Sequence, residues 1–129
     1  MAEAVKQRVL RMADFLKNHP SGEFVSNENI NSYVNDDLIR VILRLGLVDL
    51  HGSEHVTVQS GSGLSPEQKE SIINAVANSV NILVQDSSLL APLVVGSLRA
   101  AVKFCHKDKE PDCKQCHFFL ICEKRTYLS

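Results

Sequence analysis

The chain has 129 residues, enough for one domain or for two small modules sharing a core. With 44% hydrophobic and 22% charged residues it is ordinary globular material, which excludes a disordered tail or a fibre; a net charge of −1 excludes a global pull towards DNA or membranes. Aromatic residues at 5%, with no Trp, argue against a base-stacking platform, and four cysteines confined to positions 105–122 exclude a disulfide scaffold spread through the fold.

Residues 3–17 read as an amphipathic helix, because Val5, Val9, Met12 and Leu16 form a stripe at helical spacing that Ala13 widens. Asn18-His19-Pro20-Ser21-Gly22 stops it. Glu23-Phe24-Val25 is a short extended piece, and Ser26 caps a second helix running to about Val34. Asn35-Asp36-Asp37 is a further cap signal, with acids suited to the positive end of a helix; Leu38 to Leu45 follows, with Gly46 as its stop. Leu47-Val48-Asp49-Leu50 and His55-Val56-Thr57-Val58 flank a Gly-Ser centre and predict a small β-hairpin. Ser60-Gly61-Ser62-Gly63 is a flexible joint. Ser65-Pro66-Glu67-Gln68 opens a helix whose apolar face holds Ile72, Ile73, Val76, Val80 and Leu83, and residues 88–104 predict one more apolar helix.

The expected fold is therefore mainly α with a small β-hairpin. Residues 1–60 have the element order of a winged helix-turn-helix, with 36–46 as recognition helix and 47–59 as wing. Residues 64–129 form a helical segment carrying a four-cysteine loop at 105–122. In the winged-helix reading, Arg40 and Arg44 lie on one helix face as nucleic-acid contacts, although a recognition helix opening with Asp36-Asp37 suits DNA poorly. Met1 to Arg11 holds no apolar run of signal-peptide length, and the most apolar stretch, Leu89 to Val102, is interrupted by Pro92 and Arg99. A bilayer span needs about 20 apolar residues. The expectation is no membrane and a reducing cytoplasm, where clustered cysteines bind metal rather than cross-link.

The cysteine loop reads Cys105-x7-Cys113-x2-Cys116-x5-Cys122. Gaps this short let four thiolates converge on one centre, and soft thiolates select zinc or an iron–sulfur cluster. Two Cys-x2-Cys pairs would favour zinc; here one such pair sits between unequal outer gaps, which suits a wrapped cluster loop, with Zn²⁺ as the alternative. His106 and His117 lie inside the loop and offer imidazole as a replacement ligand or face solvent. Phe118, Phe119, Leu120 and Ile121 fill the last gap and would shield a metal from water.

The loop, with Pro111 two residues before Cys113, resembles the C-terminal [4Fe-4S] loop of endonuclease III and adenine glycosylase-type DNA repair enzymes, one residue longer in its first gap. Val34-Asn35-Asp36-Asp37-Leu38-Ile39-Arg40-Val41 and Arg44-Leu45-Gly46-Leu47-Val48 resemble a stretch upstream of that family's loop, and Ala101 fits the helix leading into it. The resemblance implies a [4Fe-4S] cluster on Cys105, Cys113, Cys116 and Cys122 and contact with DNA. It also implies where catalysis is missing. Asn35 stands at the place of the family's catalytic Asp, and no glycine-rich helix-hairpin-helix supplies the catalytic Lys, so glycosylase activity from this chain alone is not expected.

Residues 99–125 carry Arg99, Lys103, Lys107, Lys109, Lys114, Lys124 and Arg125 against four acids, a local charge of +3. These cations either compensate the charge of four thiolates or contact phosphate. The leading expectation is a small cluster-binding, nucleic-acid-associated protein, its cluster structural or redox-sensing, with Arg40, Arg44, Lys103, Lys107, Lys109, Lys114, Lys124 and Arg125 as candidate contacts. The alternatives are a zinc-stabilised module that binds a protein partner, and the accessory half of a repair glycosylase.

Overall fold

The computed structural model describes residues 3–18, 35–49, 65–106 and 110–123. They are mainly helical: α1 (Glu3–Asn18), α2 (Asp36–Leu45), α3 (Pro66–Ser87) and α4 (Ala91–Arg99), followed by a single 3-10 turn at Cys113–Gln115. The extended piece at 23–25, the helix at 26–34, the joint at 60–63 and most of the hairpin lie outside the described residues. The hairpin's first residues, Leu47 to Asp49, follow α2 as an irregular turn, and no strand occurs among the described residues.

α1 buries Val5, Val9, Met12, Ala13 and Leu16, the stripe its periodicity marks. Each large apolar side chain contributes about 1.5–3 kcal/mol on burial, which holds a helix of this length where intrinsic propensity alone would not. α2 is fixed by local chemistry at both ends. The Asn35 side chain accepts the Leu38 N–H at 2.9 Å, and Asp36 and Asp37 sit in the first turn. Gly46 ends the helix at φ +79°, donating to the Leu43 carbonyl while the Leu47 N–H donates to the Ile42 carbonyl, the paired bonding of a Schellman turn. At α3, Ser65 and Gln68 form a reciprocal capping box ahead of Pro66.

The sequence predicts one helix over 88–104, and here the structure differs. Ser88 turns left-handed at φ 60°, α3 and α4 meet at 117°, and α4 starts only at Ala91. Pro92 has no N–H and is tolerated only in a first helical turn, so the helix has to begin there. Beyond Arg99 the backbone tightens into i→i+3 turns, and Cys105 N–H donates to the Ala101 carbonyl at 2.9 Å.

α1 packs chiefly on α3, while α2 packs on α4 and α3. One hydrophobic core runs from Val5 through Leu43 and Leu83 to Phe118, joining residues from both sides of the Ser60–Gly63 joint. α2 lies centrally in it: apart from half-buried Ile39, every residue from Leu38 to Val48 is buried. The helix expected to enter a DNA groove is thus a core helix. No single helix among the described residues is long and apolar enough to cross a membrane.

Candidate functional site

The last turns of the described chain are organised around the cysteines. The Asp112 N–H donates to the Phe104 carbonyl at 2.8 Å and closes the long first gap. Cys116 N–H donates to the Cys113 carbonyl, Phe119 N–H to that of Cys116, and Cys122 N–H to that of Phe118, so the loop is a chain of tight turns. Its anchor is Phe118, which is fully buried and packs at a tilt on Phe15 with ring centres 5.8 Å apart. Beside it, the His117 ring nitrogen Nε2 lies 3.1 Å from the carbonyl of buried Ser97. Burial holds the His117 imidazole below its usual pKa, with the Ser97 bond opposing that shift.

All four cysteines are half-buried, and none is in a disulfide. They line a single pocket together with Val41, Arg44, Leu45, Ala101, Phe104 and other apolar side chains, around a cavity of about 30 Å³. Neither His106 nor His117 lines it. Burial is the main reason the Cys116 thiol is pushed above its ordinary pKa; a backbone hydrogen bond at Phe118 opposes this, and the neighbouring Cys105 and Cys113 sulfurs add to it.

The wall opposite the loop is α2, and its two arginines make the connection. Arg40 Nε donates to the Cys105 carbonyl at 2.9 Å, and its Nη1 pairs with Asp37 at 2.9 Å. Arg44 Nη1 donates to the His106 carbonyl at 2.7 Å and to Cys105 Sγ at 3.3 Å, while the Cys122 thiol donates to the Arg44 carbonyl at 3.5 Å. Arg40 is 5% exposed and Arg44 4%. The two residues expected to face phosphate therefore face the cysteine loop, and each donates to one of its carbonyls. One signal in the sequence points this way: both stand inside the apolar run Leu38 to Leu45, and arginine is buried only where it is paired.

The other expected cations divide. Lys103 and Lys114 are exposed, Lys103 lining a surface groove with Arg99 and Asp37, and Lys107, Lys109, Lys124 and Arg125 lie outside the described residues. A second junction was not legible in the sequence. Arg8 of α1 donates to the Gly46 carbonyl at 2.6 Å and pairs with Asp49 at 3.0 Å, while Glu123 approaches Arg8 and Arg11 at 3.9 and 3.6 Å. The end of the cysteine loop is thereby tied to α1 and to the turn that closes α2.

An all-thiol donor set suits zinc and an iron–sulfur cluster alike. Among the described residues, no three His, Cys, Asp or Glu side chains are grouped to hold one ion. No family model, curated protein or solved structure matches this chain.

Proposed function

We propose that the chain carries one [4Fe-4S] cluster on Cys105, Cys113, Cys116 and Cys122, as a structural or redox-sensing centre in a nucleic-acid-associated protein that is not catalytic by itself. The observation that carries this reading is the pocket: four thiols from 18 residues of chain, none in a disulfide, line one apolar cavity. When bound, such a cluster cross-links the loop to itself and exchanges single electrons. This chain's own residues do the rest. Val41, Leu45 and Phe118 keep water from the thiolates, which slows loss of the group and lowers the local dielectric. Arg44 brings a buried positive charge and an N–H to Cys105 Sγ, offsetting part of the negative charge of four thiolates and favouring the more reduced state of the centre. Four cysteines clustered in one short segment suit a reducing, cytoplasmic setting.

Nucleic-acid contact, on this reading, falls to the exposed Lys103 and Lys114 and to their sequence neighbours Lys107, Lys109, Lys124 and Arg125, and not to α2. α2 then serves to hold the loop, through the bonds of Arg40 and Arg44 to its backbone. The test is metal analysis of protein purified without oxygen. A broad visible charge-transfer band with about four irons and four inorganic sulfides per chain is the expected result. Colourless protein with one zinc and no iron overturns the cluster and leaves a zinc-stabilised module. Duplex DNA binding that weakens with salt supports the second part; no binding at low salt assigns the surface to a protein partner.

A further inference from the structure

We propose that Cys113 and Cys116 are a peroxide-sensitive dithiol pair, and that in the metal-free chain their disulfide forms in preference to any other pairing of the four cysteines. Four cysteines allow three pairings, and the structure separates them. The two inner thiols share one turn: Cys113 opens the 3-10 turn, and the Cys116 N–H donates to the Cys113 carbonyl at 3.1 Å. Such a turn holds its end Cα atoms within about 7 Å, and a disulfide spans Cα atoms about 4.4–6.8 Å apart, so this pair closes with little backbone movement.

The two outer thiols are each held elsewhere. Cys105 Sγ accepts from the Arg44 guanidinium at 3.3 Å, and the Cys122 thiol donates to the Arg44 backbone carbonyl at 3.5 Å. These anchors are at opposite ends of one arginine, so joining Cys105 to Cys122 draws both sulfurs away from their Arg44 partners. Joining an inner to an outer cysteine breaks one of the same bonds.

The chemistry balances with hydrogen peroxide as oxidant. One inner sulfur, as thiolate, attacks a peroxide oxygen; the O–O bond breaks, and the departing hydroxide takes the thiol proton as water. The resulting sulfenic acid is attacked by the second inner sulfur, the S–S bond forms, and a second water leaves with that thiol's proton. Two thiols are oxidised by two electrons and one peroxide is reduced to two waters. On the four-thiolate reading, the disulfide removes two of the four ligands, so oxidation and metal occupancy exclude each other. The pairing itself does not rest on that reading.

The experiment maps disulfides in the full-length chain, as purified and after removal of metal by a chelator, each treated with stoichiometric hydrogen peroxide. Free thiols are then blocked with iodoacetamide. Cleavage after Lys114 and after Phe118 or Phe119 separates Cys113, Cys116 and Cys122 onto different peptides. The expected result is a dominant Cys113–Cys116 linkage in the metal-free chain. It persists in the C105S and C122S variants and is lost in C113S and C116S, with helix content followed by circular dichroism so that the folded state is compared throughout. A dominant linkage involving Cys105 or Cys122, or oxidation to sulfinic acids without a disulfide, overturns the proposal. Protection of the pair in metal-loaded protein supports the mutual exclusion; a chain that holds no metal when purified without oxygen and still forms the linkage removes the metal reading and leaves the dithiol pair standing.

Discussion

Replacing Arg44 with alanine separates the two roles an arginine in this helix can have. In the structure its guanidinium is buried, donating to the His106 carbonyl at 2.7 Å and to Cys105 Sγ at 3.3 Å. Hydrogen bonds from a charged donor contribute about 1.5–3 kcal/mol each, and sulfur is the weaker acceptor. Losing both, and the packing of the side-chain stem, gives an expected destabilisation of about 3 kcal/mol. For a chain of this size that lowers Tm by about 12 °C. Urea titration followed by circular dichroism measures the first quantity, and the midpoint should fall with an unchanged slope. The loop loses its tie to α2 in the same variant, so metal or cluster is released faster into a chelator. A phosphate-contacting arginine behaves in the opposite way: DNA affinity and its salt slope fall while stability stays. R44A with an unmoved urea midpoint and unmoved metal retention refutes the placement of Arg44 as the clamp of the cysteine loop.

Gly46→Ala should destabilise by about 1–2 kcal/mol, since φ +79° is costly for any residue with a Cβ and that atom would stand 2.7 Å from Glu123 Cγ and 3.0 Å from Arg8 Nε; thermal unfolding reads it. Phe118→Ala should cost about 3–5 kcal/mol because the ring is fully buried, whereas Leu120→Ala, 88% exposed in the same loop, should stay within about 0.5 kcal/mol; equal effects in a urea titration would contradict the loop's orientation. Burial raises the Cys116 thiol pKa, so in the metal-free fold it stays protonated at neutral pH. The midpoint of its iodoacetamide alkylation rate against pH should lie higher in the folded chain than in urea. Its stability contribution should be fully present below the ordinary thiol pKa and be lost as pH climbs through the raised one. Coincident midpoints in the two states would remove that conclusion.

The helices were legible because their signals are local. α1 announces itself by a stripe, α2 by Asn35 and Gly46 at its two ends, and α3 by Ser65, Pro66 and Gln68 within its first turn. Each of these acts over three or four residues, where the covalent chain already fixes the distance. The shortening of α4 was legible in principle from Pro92, but the apolar run across it masks the break. The four cysteines are likewise close in the chain, and they line one pocket.

What a charged side chain does inside the fold is a different kind of fact. The sequence places Arg40 and Arg44 one turn apart on a helix and so on a common face, but a face has no inside or outside until the helix has neighbours. The acceptors that claim them lie 61 to 65 residues further along the chain. Only the packing of α2 against α4 delivers the carbonyls of Cys105 and His106 to within hydrogen-bonding distance. Capping is set by covalent proximity and can be read from neighbouring letters. The destination of a buried guanidinium is set by which distant backbone acceptors the core brings to it, because burial without them would cost more than the core could supply.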